Sequence, residues 1–418
     1  MPCAAKNKDM ARDDRAFGSR PKFLAVDFFC GAGGTTRGLL DAGGYVMAGI
    51  DKDERCTRTY VENNVNTSAD CGRARFLHYD IFPRTPEYPA GQQRALFSEL
   101  DELIPCYRNK WPGVPLLFAI CAPCQPFTKL ARKQMSHERL ERRERDMNLL
   151  REACRFVRKY EPELVLSENV AGIHDPKYGG VWEHFRRSLE REGYATGSKV
   201  VCTSRFGIPQ FRKRSILMAV RHYLVRPERF ADLLREELLV PEADPNAAMV
   251  SVAEAIGHLP PIRAGESHAL VPNHKTRGLS DMNLKRLSSA RPGESNAYLQ
   301  DTVHGDLTLP CHQKVNEKLQ TRCFSDVYTR LHPDRPSPTI TTKCHSISNG
   351  RFGHYDMKQV RGLSLREAAI LQSFPDEYVF YPDNEVEPVA RMIGNAVPPR
   401  LAGFFAGYLV NTLADDGE

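Results

Sequence analysis

Short apolar runs that end in a polar or turn-forming residue recur along the first half of the chain. FLAVDFF, from Phe23, has the length of a buried strand, the GAGG that follows can only be a turn, and TTRGLLDA has the spacing of a helix. YVMAGID reads as a second strand ending in an acid, and RARFLHYDIF and PLLFAICAP as further strands with a polar residue or turn at their C-terminal ends. MNLLREACRFVRKY predicts an amphipathic helix, apolar at Met147, Leu150, Cys154 and Val157, which feeds the strand LVLSENV. A helix around VWEHFRRSLEREG and the strand pair VVCTSRF and SILMAV complete the series. Strands alternating with helices predict an α/β fold with a mostly parallel, doubly wound sheet.

After about Val220 the alternation fades. From 225 to 330 the chain scatters Pro, Gly, Ser and His with no clear period, as expected of an irregular binding lobe or, equally, of a large surface insertion. Regular signals return at SLREAAILQSF, a helix, and at RMIGNAVPPRLAGFFAGYLVNTL, a turn followed by a helix. Residues 1–21, rich in charge and poor in large apolar side chains, predict a disordered arm.

Composition narrows the class. A chain of 418 residues accommodates one large domain and a smaller one. With 58 Lys and Arg against 52 Asp and Glu, a net charge of +6 permits a polyanionic partner without demanding one. No apolar run reaches the roughly 18–20 residues of a membrane span, and the polar start lacks the apolar core of a signal peptide, so a soluble intracellular protein is expected. The 12 cysteines are scattered through a chain too large to need disulfides, which fits a reducing compartment.

Candidate chemistry gathers at the strand ends. Asp27 to Gly34 puts Gly31, Gly33 and Gly34 where a strand turns into a helix, so that backbone can approach a ligand, and Asp51 ends the next strand as a ribose-binding candidate. Thr36 stands where a dinucleotide fingerprint would have its third glycine, which favours a nucleoside ligand without a pyrophosphate. Asp80 ends a third strand; a glycine turn serving packing alone is the competing reading.

Cys121 and Cys124 are three positions apart and could be a metal pair, a redox pair, or one working thiolate beside a bystander. Zinc would need a second pair at ligand spacing, and no other CxxC or HxxxH is present. Cys124 follows a strand and a proline in a loop leading to a helix, the position of a nucleophile, whereas Cys121 on the apolar strand end reads as a buried small hydrophobe. Glu168, in Ser167-Glu168-Asn169, ends a strand on the same sheet edge, unless it or Asn169 caps the next helix. Arg212 and Arg214 alternate onto one face ahead of SILMAV, which a solvated basic strand end would also explain.

Six blocks in order, DFFCGAGG, the PCQ of APCQPF, SENV, QFRKR, RLHPDRPSPTITT and GNAVPP, resemble the cytosine-5 DNA methyltransferases and frame about residues 23–410. The resemblance implies a Rossmann-like class I methyltransferase domain over 22–224 and 389–418, a smaller irregular target-recognition lobe over 225–360, and a hinge with a connecting helix over 361–388. It implies methyl transfer from S-adenosylmethionine, leaving S-adenosylhomocysteine, to C5 of a cytosine flipped out of double-stranded DNA. By the same resemblance Cys124 would be the catalytic thiolate, Glu168 would hold or protonate N3, and Arg212 and Arg214 would orient the base.

For the cofactor it implies Phe29 on the adenine, the Gly31, Gly33 and Gly34 turn at the methionine part, and Asp51 on the ribose. Lys52 stands where the family often has an aromatic or apolar residue. Asp80 and Ile81 would contact the adenine, Pro123 and Leu149 would line the pocket, and Asn395, Ala396 and Val397 would close it. Lys129, Arg132 and Lys133 would meet DNA phosphates, and Arg330 and Thr339 would support the lobe. No metal is implied. The expected partners are DNA and a cognate restriction endonuclease acting separately, with a monomeric enzyme in the bacterial cytoplasm, at the nucleoid. Cys323-Phe324-Ser325 faintly echoes the CFT motif of a branch that modifies transfer RNA, which keeps an RNA-directed enzyme as a rival. A catalytically silent DNA-binding protein is a second rival, disfavoured by the intact Cys124, Glu168, Arg212 and Arg214.

Overall fold

The structure, a computed structural model, describes residues 20–66, 72–123, 147–178, 180–224, 240–241, 248–319 and 324–414. The N-terminal arm lies almost wholly outside the described residues, as do parts of the segment expected to carry target recognition.

β1 (Phe23–Phe28), β2 (Gly44–Asp51), β3 (Arg75–His78), β4 (Leu116–Ile120), β5 (Leu164–Val170), β6 (Tyr194–Cys202) and β7 (Lys213–Arg221) form one sheet in the order β3-β2-β1-β4-β5-β7-β6. All neighbours pair in parallel except β7, which runs antiparallel to both β5 and β6. β1 and β4 are buried at every position, as strands covered on both faces must be, and this explains their nearly unbroken apolar runs.

On one face lie α3 (Gln93–Lys110), α4 (Leu149–Tyr160) and α5 (Val181–Arg191), which contribute Leu96, Leu100, Phe156, Trp182 and Leu189 to the core. On the other, α1 (Gly34–Asp41) packs against α11 (Pro399–Ala414) through Leu39, Leu401 and Phe405. The α1–α11 contact needs glycine: a Cβ on Gly38 would stand 2.2 Å from the Pro399 carbonyl oxygen and 2.7 Å from the Gly403 nitrogen. The last helix is thereby part of the first layer of the fold.

The rest of the chain contributes α2 (Thr57–Asn63), α6 (Val252–Ile256), α7 (Asp281–Ser289), α8 (Pro310–Leu319), α9 (Leu365–Leu371) and α10 (Val386–Asn395). No strand follows β7 among the described residues, in line with the fading alternation. A third apolar cluster joins α6, α9 and α10 to Ala32 in the turn after β1. Arg330, fully buried, donates to the carbonyls of Leu287, His354, Asp356 and Gln359, and Thr339 Oγ1 donates to the Phe211 carbonyl, so both act as internal ties of this region.

Several elements differ from the sequence reading. Only Arg75–His78 of RARFLHYDIF is strand, because after Tyr79, whose N–H still reaches the Asp51 carbonyl, the chain leaves the sheet edge and is held by the start of α3. TSRF is a 3-10 turn after β6 rather than strand. RMIGN is the end of α10, not a turn; the break falls at Ala396–Pro398, and Pro399 opens α11, where a missing N–H costs nothing. α3 was not read, although Leu96, Leu100, Leu103 and Ile104 have helical spacing; Pro105 interrupts the pattern but not the helix.

Candidate active site

The strand order reverses between β1 and β4, and at such a switch point the turns leaving the strands splay apart and open a crevice. Phe29 enters the turn after β1 with φ +63, a left-handed conformation disfavoured for an aromatic residue and held here by its surroundings. Gly31 and Gly33 follow at φ +49 and +93. A Cβ on Gly31 would point into open space, whereas one on Gly33 would meet Asn64 Nδ2 at 2.4 Å and Tyr378 Oη at 2.6 Å, and one on Gly34 the Val397 carbonyl at 2.4 Å. The three glycines therefore do different work: Gly31 faces the crevice, while Gly33 and Gly34 let the turn sit against the C-terminal segment.

The crevice, about 200 Å³, is lined by Phe29, Gly31, Gly34, Asp51, Lys52, Pro123, Glu168, Arg212, Arg214 and the Asn395–Val397 turn. Continuous with it through Phe29, Asp51, Lys52 and Pro123 is a slot of about 30 Å³ walled also by Ile50, Tyr79, Asp80, Ile81 and Leu149. Asp51 bridges the two. Its Oδ2 accepts from the Gly31 N–H at 2.9 Å and its Oδ1 from the Asp53 N–H at 2.8 Å. Burial raises its carboxyl, partly countered by those N–H groups.

At the far end β5 alternates its side chains. Ser167 Oγ donates to the Ile120 carbonyl at 2.5 Å and Asn169 Nδ2 to the Ala122 carbonyl at 3.0 Å, pinning the segment that leads to Cys124, while Glu168 lines the crevice. Asn169 thus fastens a neighbouring strand end rather than capping a helix. Glu168 Oε1 lies 2.6 Å from Arg214 Nε, an ion pair with both partners almost fully buried. Arg212 is more committed: its guanidinium donates to the carbonyls of Ile340, Gly394 and Ala396, tying the head of β7 to the C-terminal turn. Burial pushes the Cys121 thiol well up, with Glu168 adding to the effect, which suits an inert neutral residue.

Beneath the turn, Asp27 is wholly buried; Oδ2 accepts from Thr36 Oγ1 at 2.7 Å, and Oδ1 has no partner among the described residues. Burial raises its carboxyl from 3.8 to about 7. Between those values the folded protein holds a proton that the unfolded chain has released, so this contribution to stability is full below about pH 4 and is lost as the pH rises through about 7. In urea unfolding from pH 4 to 8, the wild type is expected to lose about 3–4 kcal/mol more than Asp27→Asn. Parallel pH profiles for the two proteins would contradict this.

The structure brings together Phe29, Gly31, Gly34, Asp51, Lys52, Asp80, Ile81, Pro123, Leu149, Glu168, Arg212, Arg214, Asn395, Ala396 and Val397 around the crevice and its slot. Gly33 packs behind it. Cys124, Lys129, Arg132 and Lys133 lie outside the described residues. Lining residues that the sequence reading does not single out include Thr35, Asp53, Arg55, Cys56, Pro388, Arg391 and Met392; Arg391 and Met392 lie in the part of α10 expected to be a turn.

The model of the family "C-5 cytosine-specific DNA methylase" matches residues 109–411. The Type II methylase M.HgiDII of Herpetosiphon aurantiacus is 32% identical over 383 residues, covering 91% of this chain and 93% of that protein. The Type II methyltransferase M1.HphI of Haemophilus parahaemolyticus is 27% identical over 380 residues, covering 90% and 84%. Among solved structures, a protein described as a prophage-encoded DNA modification methyltransferase (E. coli) superposes with a TM-score of 0.62 at 20% identity, covering 94% of this chain and 99% of that one. That last likeness concerns the fold.

Proposed function

This chain belongs to the C-5 cytosine-specific DNA methylases, and on that premise we propose that it methylates a cytosine, flipped out of double-stranded DNA within one short sequence, through a covalent bond between Cys124 and C6. That it is a DNA cytosine-5-methyltransferase using S-adenosylmethionine follows from the family; the flipped base, the covalent step and the residue roles are the proposal.

The observation that carries it is the two-ended crevice, with a buried carboxylate–guanidinium pair at one end and an aromatic-walled slot at the other. The lining of the slot and of the adjoining crevice suits a nucleoside. Phe29 offers a ring face, Asp51 an acceptor beside the Gly31 backbone, and Asp80 and Ile81 a polar edge, while the open space over Gly31 leaves room for the aliphatic part of the cofactor. When bound, S-adenosylmethionine supplies an electrophilic methyl group and leaves as S-adenosylhomocysteine.

C5 of cytosine is a poor nucleophile by itself. Addition of the Cys124 thiolate to C6 would break the aromaticity of the ring and give C5 enamine character. Glu168 would hold or protonate N3 as electrons leave the ring, and Arg214, paired to Glu168, would keep that carboxyl oriented and offset developing charge. Arg212 serves this reading as a positioning residue, since its Nη1 and Nη2 donate to backbone carbonyls. A base then removes the C5 proton and the thiolate is expelled.

Flipping is required because C5 and C6 are out of reach in the stacked duplex. Lys129, Arg132 and Lys133 would contact phosphates, residues 225–360 would read the sequence, 361–388 would connect the two parts, and the enzyme would act as a monomer, separately from any cognate nuclease.

Base-resolution methylation sequencing of DNA from cells expressing the protein tests the reading. New 5-methylcytosine confined to one short sequence context is expected; no new mark from folded, cofactor-binding protein would refute it.

A further inference from the structure

We infer that Gln92 and Gln93, backed by Glu152, form a clamp that fixes the adenine-reading edge of the slot and leaves the Ile81 N–H as its hydrogen-bond donor; this rests on the cofactor reading above. The first N–H groups of a helix have no partner within it. At the start of α3 two of them turn to the Asp80–Phe82 segment: Gln92 N donates to the Asp80 carbonyl and Gln93 N to the Phe82 carbonyl, each at 3.0 Å.

The side chains of the same two residues return to that segment. Gln92 Oε1 accepts from the Asp80 N–H at 3.1 Å, and Gln93 Nε2 donates to the Ile81 carbonyl at 2.8 Å. Within the segment, the Phe82 N–H donates to Asp80 Oδ1 at 3.2 Å. Four successive peptide planes are thereby held, including the one that carries the Ile81 N–H, whose carbonyl end is the Asp80 oxygen bound by Gln92.

After this, the Ile81 N–H has no hydrogen-bond partner among the described residues, although Ile81 is only 3% exposed. An unpaired buried backbone N–H is rare in folded proteins unless a ligand takes it. Ile81 lines the slot together with Phe29 and Leu149. A single fixed donor on the wall of an aromatic-sided slot suits a ring nitrogen with an in-plane lone pair, which N1 of adenine has. In a 6-oxopurine N1 carries a hydrogen, and donor would meet donor.

The clamp also joins the slot's two walls. Gln93 Nε2 donates to Glu152 Oε2 at 3.0 Å, and Glu152, buried on α4 one turn beyond Leu149, pairs with Arg155 at 3.1 Å. The amide of Gln93 is therefore oriented by a carboxylate that touches no ligand. All three residues are positioning residues.

Calorimetric titration of the full chain with S-adenosylhomocysteine and with its S-inosyl analogue tests the inference. The wild type is expected to prefer the adenosyl compound by at least about tenfold. Gln93→Leu is expected to bring the two affinities within about threefold, by weakening the adenosyl compound and not the inosyl one. Glu152→Gln, which still offers an oxygen to Gln93, is expected to keep the preference. The preference is a ratio within one preparation, so partial unfolding does not mimic its loss, and Gln92→Met serves as a second variant should Gln93→Leu not fold. A wild type without preference, or a Gln93→Leu or Gln92→Met protein that retains it in full, would overturn the clamp. Failure of the wild type to bind S-adenosylhomocysteine at all would overturn the cofactor reading instead.

Discussion

A Cys124→Ser protein is expected to transfer at least about a thousandfold less methyl to DNA than the wild type, while its affinity for S-adenosylhomocysteine stays within about twofold. The reasoning starts from the strand that leads to the cysteine. β4 is buried throughout, and its exit is fastened twice by β5, through Ser167 to Ile120 and through Asn169 to Ala122. Pro123 then lines both the crevice and its slot. Glu168 and Arg214 line the same crevice as Pro123, the residue before the proposed nucleophile. A serine at this position keeps its hydroxyl protonated near neutral pH, and Glu168, the carboxylate of the crevice, is paired with Arg214. Transfer of a labelled methyl group to DNA, with calorimetry on the same preparations, separates chemistry from binding. More than about 1% residual transfer would sink the covalent reading.

The second large effect concerns stability. Arg361→Ala is expected to destabilise the protein by about 3–5 kcal/mol, as removal of one partner from a buried ion pair does. Arg361 and Glu367 are each about 1% exposed, and the guanidinium meets the carboxylate twice, at 2.8 and 2.6 Å. Glu367 is also the far member of the capping box that opens α9: its carboxylate accepts from the Ser364 N–H at 2.7 Å, and Ser364 Oγ accepts from the Glu367 N–H at 3.1 Å. Burial alone would raise the Glu367 carboxyl, but hydrogen bonds from Arg361 and His354 outweigh it and hold it far below the usual range.

A carboxyl with a depressed folded value stabilises above its unfolded value and loses that contribution as the pH falls. The gap between wild type and Arg361→Ala in urea unfolding should therefore be full above about pH 4.5 and narrow as the pH falls below that value. An Arg361→Met, Glu367→Met double variant should recover much of the loss. A single variant within about 1 kcal/mol of wild type at pH 7 would refute this.

How much of this was legible in the sequence depends on what kind of interaction carried each part. The sheet was legible because β1, β4 and β5 are covered on both faces and so are apolar almost without interruption. The residues at their C-terminal ends stood out because a parallel sheet sends all of them to one edge. The roles within GAGG were not legible. Gly31 and Gly33 are both glycines with positive φ, and only the positions of Asn64 and Tyr378, far along the chain, show that one faces open space and the other a packed wall. Arg212 and Arg214 looked equivalent by alternation, yet one is held by three carbonyls and the other by a carboxylate. The end of α10 was missed because a glycine and two prolines near it resemble a turn, while its apolar face at Val389, Ala390 and Ile393 finds partners in a cluster drawn from distant segments, among them α6, α9 and the turn after β1. The clamp at Gln92 and Gln93 was invisible, since glutamines at a helix start carry no distinctive signal.

The crevice is assembled from both ends of the chain, and this sets an order of events during synthesis. The seven strands are all available once β7 has emerged, but the wall formed by Asn395–Val397, and the helix α11 that packs on α1, are made later. A ribosome-bound chain can thus hold a formed sheet and still lack a finished ligand cleft. A chain stopped before Asn395 is therefore expected not to bind the ligand of this crevice.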